Sequence, residues 1–264
     1  MALPLRDDHR TRTTPWVTLA LLAINIVVFL FVQPAGFQVG ELGESQDGYW
    51  RATQAEEFAN RWGSVACELR TGETLFAEPE GCTGERTEFP PEGKSIVLAL
   101  FTCMFLHGSV LHLASNMLFL WVFGSLVEDR IGRTNFLGLY LIGGMVATLG
   151  YAAANVSSPA PLIGASGAIA VAMGAYLVLF PRARILTVIV TAAFQVVYVP
   201  AAVVLLLFFV TQFFTADENI AWEAHAAGMA AGFFAALVLR QVPAIRRREA
   251  AEAYDDAVRI GATF

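Results

Sequence analysis

Apolar residues along this chain fall into long blocks separated by short polar punctuation, and block length predicts the elements. The first block, Trp16 to Val32, is long enough to cross a hydrocarbon layer about 30 Å thick. A signal peptide is the other reading of such a block, but no small-residue cleavage site closes it, so it is read as an uncleaved first span. The block from Ser95 to Val127 holds 33 residues, too many for one crossing and too few for two with a turn. Split near His107, it gives an interfacial or re-entrant piece over 95–106 and a second span from Val110 to Val127. A tight polar turn is expected over Glu128-Asp-Arg-Ile-Gly-Arg133. A third span, Asn135 to Ala154, and a Pro/Ser-rich loop, Asn155 to Pro161, follow.

The fourth span opens at Gly164 or Ala165 and stops at Phe180, ahead of Pro181. At about 24 Å of helix it is short, which leaves one end below the membrane surface. The block Ile185 to Phe214 is again too long for one crossing. Its first half, 185–199, is read as an interfacial connection, and Pro200 to Phe214 as the fifth span, with Pro200 in the first turn, where a missing N–H costs nothing. Thr215 to Asn219 is a polar turn, Ala221 to Leu239 the sixth span, and Arg240 to Arg248 its basic close. The expected organisation is a tail over 1–15, a membrane domain over 16–240 and a second tail, amphipathic or disordered, over 241–264.

Composition agrees with that reading. With 56% hydrophobic residues and a mean hydropathy of +0.57, the chain is more apolar than soluble domains are, and it is expected to be an all-α polytopic membrane protein. The net charge of -6 carries little information, because charge is segregated by segment. Residues 33–94 form an acidic insert between spans 1 and 2, with eleven Glu and one Asp against Arg51, Arg61, Arg70, Arg86 and Lys94. No basic stripe with interleaved aromatics exists, so no nucleic-acid partner is expected. With six spans and the first tail inside, 12 Arg residues lie on the inner side and all 5 outer cations lie in the insert, which makes both tails cytoplasmic. The insert then faces an oxidising compartment, and Cys67 and Cys82 are disulfide candidates; two free thiols are the alternative. The third cysteine, Cys103, lies in apolar sequence.

Polar groups inside apolar spans are costly and usually functional. Here they are His107, His112 and Asn116 around the start of span 2, Ser166 at the start of span 4, and His225 about one turn into span 6. Spans 2, 4 and 6 all run from outside to inside, so these residues gather in the outer leaflet. Ser166 lies among Gly164, Ala165 and Gly167, small neighbours that admit a substrate backbone, at a helix N-terminus with unpaired N–H donors. It reads as a nucleophile or simply as a helix cap. His225, among alanines, reads as a neutral general base or as a structural histidine. His112 and Asn116 are four apart on one helix face and can donate hydrogen bonds toward one point, an oxyanion hole with the Ser166 amide. His107 is expected to fix its loop. Gly228 and Gly232 permit close approach of spans 6 and 4. A metal reading of His107, His112 and His225 lacks a carboxylate at ligand spacing. Glu223 comes just before His225, and Asp217 and Glu218 lie in the preceding loop, but no acidic residue lies within an apolar span near these groups, so the arrangement reads as a Ser–His dyad whose base is oriented by packing.

These residues resemble the rhomboid intramembrane serine proteases. The match lies in His107-x4-His112-x3-Asn116, in Gly164-Ala-Ser166-Gly167, in Ala224-His225-x2-Gly228-x3-Gly232 and in Glu128-Asp-Arg130-Ile-Gly132, and covers about residues 95–240. The resemblance implies a six-transmembrane-helix rhomboid-like bundle of the common bacterial form, in a bacterial inner membrane, with transmembrane proteins as substrates and neither cofactor nor metal. By the same resemblance Ser166 is the nucleophile, His225 the base, and His112 and Asn116 the oxyanion partners. Two positions depart from the family. Leu98 and Ala99 stand where many members carry a Trp-Arg pair, and Ala170 stands where some place an aromatic against the base. A catalytically silent binder of membrane clients is the alternative function; a small transporter or channel fits less well, since the ionisable groups cluster in one leaflet.

Overall fold

The computed structural model describes residues 2–9, 11–34, 46–77, 80–83, 92–190, 194–212 and 221–259. Three of its helices are long and apolar enough to cross a membrane: α5 (Val110–Ile131), α6 (Arg133–Ala154) and α9 (Trp222–Leu239). Four shorter apolar helices accompany them: α1 (Trp16–Val32), α4 (Ile96–Phe105), α7 (Ser166–Leu179) and α8 (Ala201–Gln212). Helix α7 is the hub, with Ala168, Ala172, Ala175 and Tyr176 almost fully buried among its neighbours. The small helices α2 (Gln46–Trp62) and α3 (Ala66–Thr71) belong to the insert, and α10 (Pro243–Arg259) follows α9.

Helices α7 and α9 touch backbone to backbone. A Cβ added at Gly232 would stand 1.8 Å from the Val171 carbonyl oxygen, and one at Gly174 would stand 2.0 Å from that of Met229. A Cβ at Gly228 would meet the Gly167 carbonyl oxygen at 2.4 Å. Small residues on both helices therefore set the crossing, the means by which helices associate where water supplies no hydrophobic drive.

The segment 128–133 differs from its expected turn. Glu128 to Ile131 continue α5, and the chain reverses at Gly132 alone, with φ +87°. The reason is a capping role. The buried Glu128 carboxylate accepts from the Val17 amide at 3.0 Å, the Thr18 amide at 2.7 Å and the Thr18 hydroxyl at 2.8 Å, so it closes the orphan N–H groups of α1. Arg130 is also buried, 4.2 Å over the Phe180 ring and donating to the Leu179 carbonyl.

The all-α expectation, with 185–199 as an interfacial connection, is corrected by a small sheet. Strands β4 (Arg184–Val190) and β5 (Phe194–Pro200) form an antiparallel hairpin, and β1 (Ala2–Asp7) pairs with β4, giving the order β1-β4-β5. The β-branched run Ile185, Thr187, Val188, Ile189 prefers this pleated surface to a helix. Pro200 ends β5 rather than starting α8, and residues 2–7 of the expected tail are a strand. The other tail is helical as far as Arg259. The expected turn at 215–219 lies outside the described residues.

The insert is tied to the loop that leads into α7. Strand β2 (Ser64–Val65) pairs with β3 (Pro161–Leu162). The Cys67 amide donates to the Ser158 carbonyl at 3.1 Å and the Thr83 amide to that of Ser157 at 2.9 Å. Cys67 and Cys82 are bonded, with Cα atoms 5.5 Å apart. A small apolar cluster joins Ala55, Phe58 and Ala59 to Ile163. Lys94 Nζ stands 2.6 Å from Glu68 Oε2, both side chains almost wholly buried, as an ion pair rather than an aligned hydrogen bond. Burial pulls the Lys94 pKa down, against the attraction of the Glu68 carboxylate.

Candidate active site

Gly164 begins the site. Its φ of +130° is open only to glycine, and a Cβ there would also stand 3.0 Å from Cε1 and Nε2 of His112. The missing side chain thus admits both the turn into α7 and the His112 ring. The Gly164 amide donates to the Cys103 carbonyl at 2.9 Å, which fastens the loop to the end of α4.

Ala165 takes the N-cap position, and Ser166 is the first residue of α7. The Ser166 hydroxyl is therefore not used in capping. It lies 2.7 Å from His225 Nε2. On the other side of the ring, His225 Nδ1 lies 2.7 Å from Oε1 of Gln212 on α8. An amide oxygen only accepts, so Nδ1 carries the proton and Nε2 accepts from the Ser166 hydroxyl. His225 is buried, its ring centroid 6.1 Å from that of Phe208. Phe208 supplies, from a different helix, an aromatic neighbour for the His225 ring where α7 itself has Ala170.

His112 sits one turn into α5, whose N-cap Ser109 accepts from the His112 amide at 3.1 Å. The Gly108 amide donates to His112 Nδ1 at 3.4 Å, which leaves Nε2, beside Gly164, as the protonated nitrogen. Asn116 is buried, and its amide donates to the His112 carbonyl at 3.0 Å. His107 is fully buried, with its ring centroid 5.2 Å from that of His112. Its backbone is bracketed by Gln33: the His107 amide donates to Gln33 Oε1 at 3.0 Å, and Gln33 Nε2 donates to the His107 carbonyl at 2.9 Å.

The structure thus brings Ser166, His225, His112, Gly164 and Gly167 together, with Gly228 and Gly232 at the crossing behind them. Sequence reasoning missed Gln212, Phe208, Gln33 and Gly174. Gln212 had a signal, an amide closing an otherwise apolar helix. The His225 ring is held by that amide and an aromatic ring, not by packing alone. Among the described residues one ligand-like group, Asp7, Asp8 and His9, gathers within 4.8 Å, on β1 and the residues after it rather than beside Ser166.

Comparison with known proteins gives the family. The family described as Rhomboid domain matches residues 94–242, more than half of the chain. The chain belongs to the rhomboid family. Rhomboids are integral membrane proteins. This rhomboid is 36% identical over 142 residues to "Rhomboid protease GluP" of Bacillus subtilis (strain 168), a match covering 53% of this chain and 25% of that one. It is 35% identical over 97 residues to "Presenilin-associated rhomboid-like protein A, mitochondrial" of Danio rerio, covering 36% and 25%. It is 37% identical over 93 residues to "Rhomboid protein 1, mitochondrial" of Saccharomyces cerevisiae, covering 34% and 27%. The matches thus span about a quarter of each relative's length.

Proposed function

We propose that this rhomboid is an intramembrane serine endopeptidase that cuts transmembrane segments of membrane proteins near their extracytoplasmic ends, using a Ser166–His225 dyad. The observation that carries the reading is the 2.7 Å contact between Ser166 Oγ and His225 Nε2, residues on different helices and 59 positions apart in sequence. The six spans of the proposal are α1, α5, α6, α7, α8 and α9, with both tails in the cytoplasm of a bacterial cell. Helix α7 has 14 residues and is about 21 Å long, a shortness that supports a Ser166 end lying below the outer surface yet within reach of water.

In the first step Ser166 Oγ attacks the scissile carbonyl carbon while its proton passes to His225 Nε2. The oxyanion that forms is met by the Ser166 amide at the N-terminus of α7, by His112 Nε2–H and by the second N–H of the Asn116 amide. The tetrahedral intermediate collapses, His225 hands the proton to the leaving amine, and an acyl-enzyme remains on Ser166. Water, deprotonated by His225, releases the second product. The substrate helix has to unwind locally before its carbonyls are exposed, which favours small or helix-weakening residues at the cut.

The test uses purified protein with single-span substrates. Wild type is expected to cleave and to be labelled by a fluorophosphonate at Ser166 alone, whereas Ser166→Ala and His225→Ala fold, insert and do neither. Cleavage by purified Ser166→Ala sinks the dyad. Chelators are expected to leave cleavage unchanged; inhibition that zinc reverses points instead to a metal.

A further inference from the structure

Helix α8 brings two side chains to His225 from one face: Phe208 and Gln212, four residues apart. His225 has no such help on its own helix, where Ala224, Ala226, Ala227 and Gly228 surround it. An imidazole in that setting is free to turn about its last torsion and to carry its proton on either nitrogen. Phe208 limits the turn, with 6.1 Å between ring centroids and a 44° tilt. Gln212 decides the proton, since its Oε1 lies 2.7 Å from Nδ1.

Resting on the dyad reading, we propose that Gln212 is the positioning residue of the base, filling with an uncharged amide the place that a carboxylate holds in a catalytic triad. Its oxygen keeps the proton on Nδ1 and so keeps the Nε2 lone pair toward Ser166. When His225 takes the serine proton, Nδ1–H becomes a stronger donor, and the Gln212 dipole already faces it. Neutrality suits the site. An ionised carboxylate at the end of an apolar helix costs far more desolvation than an amide. A reversed amide would set an N–H against Nδ1, move the ring proton to Nε2 and remove the acceptor that Ser166 needs.

The experiment compares Gln212→Met, which keeps length but neither donates nor accepts strongly, with Gln212→Glu, which when ionised only accepts. Gln212→Met is expected to lower kcat by about 10²-fold, the scale of a misplaced catalytic group, with KM little changed. The rate of fluorophosphonate labelling, which needs no substrate, falls in parallel. Gln212→Glu is expected to recover most of that loss and to move the acid limb of the pH–rate profile to higher pH, because a carboxylate steadies the protonated ring. A merely structural role moves neither the profile nor the recovery. Wild-type kcat and labelling in Gln212→Met overturn the proposal, as does a Gln212→Glu variant equally slow and unshifted. If Gln212→Met does not fold, Gln212→Glu decides alone: a shifted limb supports the role and an unshifted one overturns it. Failure of the dyad itself shows differently, as cleavage by Ser166→Ala or as wild type that the probe leaves unlabelled.

Discussion

Asn116 has two amide hydrogens, and one already points back to the His112 carbonyl at 3.0 Å. That bond holds the side chain on the face it shares with His112, and the proposed mechanism gives the other hydrogen to a developing oxyanion. Loss of one such donor typically costs about 10²- to 10³-fold in kcat. Asn116→Ala is therefore expected to be slow rather than dead, with KM nearly unchanged; a variant as inactive as Ser166→Ala, or one as fast as wild type, contradicts the role. Glycines allow a sharper contrast. At Gly232 an added methyl meets the Val171 carbonyl at 1.8 Å, with backbone on both sides and nothing flexible to yield. Gly232→Ala is expected to destabilise by about 3 kcal/mol, the upper part of the overpacking range, and to abolish cleavage by parting His225 from Ser166. Gly138 in α6 has nothing within 4 Å, and Gly138→Ala is expected to keep full activity and an equal or higher Tm. Equal Tm values for the two variants would contradict the crossing described here.

At the scale of elements, the insert is the part whose role the sequence concealed. Its acidity was plain, but the residues that fasten it are not distinguished by composition. Lys94 and Glu68 look like ordinary loop charges, yet both are buried and paired. Removing one partner leaves the other charged and dry, at a cost of roughly 3–5 kcal/mol. Lys94→Met is expected to unfold the insert at lower temperature, and Lys94→Met with Glu68→Leu to recover most of the loss; a double variant no better than the single one argues against the pair. The Cys67–Cys82 bridge closes 15 residues of chain and is worth about 3 kcal/mol by the chain-entropy estimate. Replacing both cysteines with serine is expected to loosen the insert while probe labelling of Ser166 persists, since Gly164 is anchored separately by the Cys103 carbonyl. A thiol count on protein purified without reductant gives one free thiol, Cys103; three contradict the bridge. The hairpin over 184–200 was misread because β-branched residues near a membrane boundary serve an interfacial strand and a connection equally well, and its partner β1 lies nearly two hundred residues away. Glu128 was misread because a charged run signals a turn unless its carboxylate has helix amides to cap, which only tertiary structure shows.

For the whole molecule, the apolar blocks and the meeting of Ser166 with His225 were legible, because hydrocarbon thickness limits span length and polar groups are conspicuous in apolar runs. Gln212 was not, since an amide at a helix end also reads as a boundary residue. The proposed orientation is open to direct measurement. Glu73 and Arg247 are both exposed, and Cys103 is buried. In intact cells an impermeant thiol reagent is expected to label Glu73→Cys and to spare Arg247→Cys until the cells are opened; the reverse pattern inverts the topology.

Strand β1 pairs Ala2 with Ile189 and Asp7 with Ile185. During synthesis residues 2–7 therefore wait until Ile185 to Ile189 have been made before their partner exists. Until then their backbone groups have no ladder to join, and Asp7 lacks the Tyr176 hydroxyl that donates to it in the finished fold. The sheet is a clasp that closes late, after α1, α5, α6 and α7 have all been made, and its closure joins the first residues of the chain to the far end of the helix that begins with Ser166. Completion of that helix's surroundings is thereby written into the order in which the protein is born.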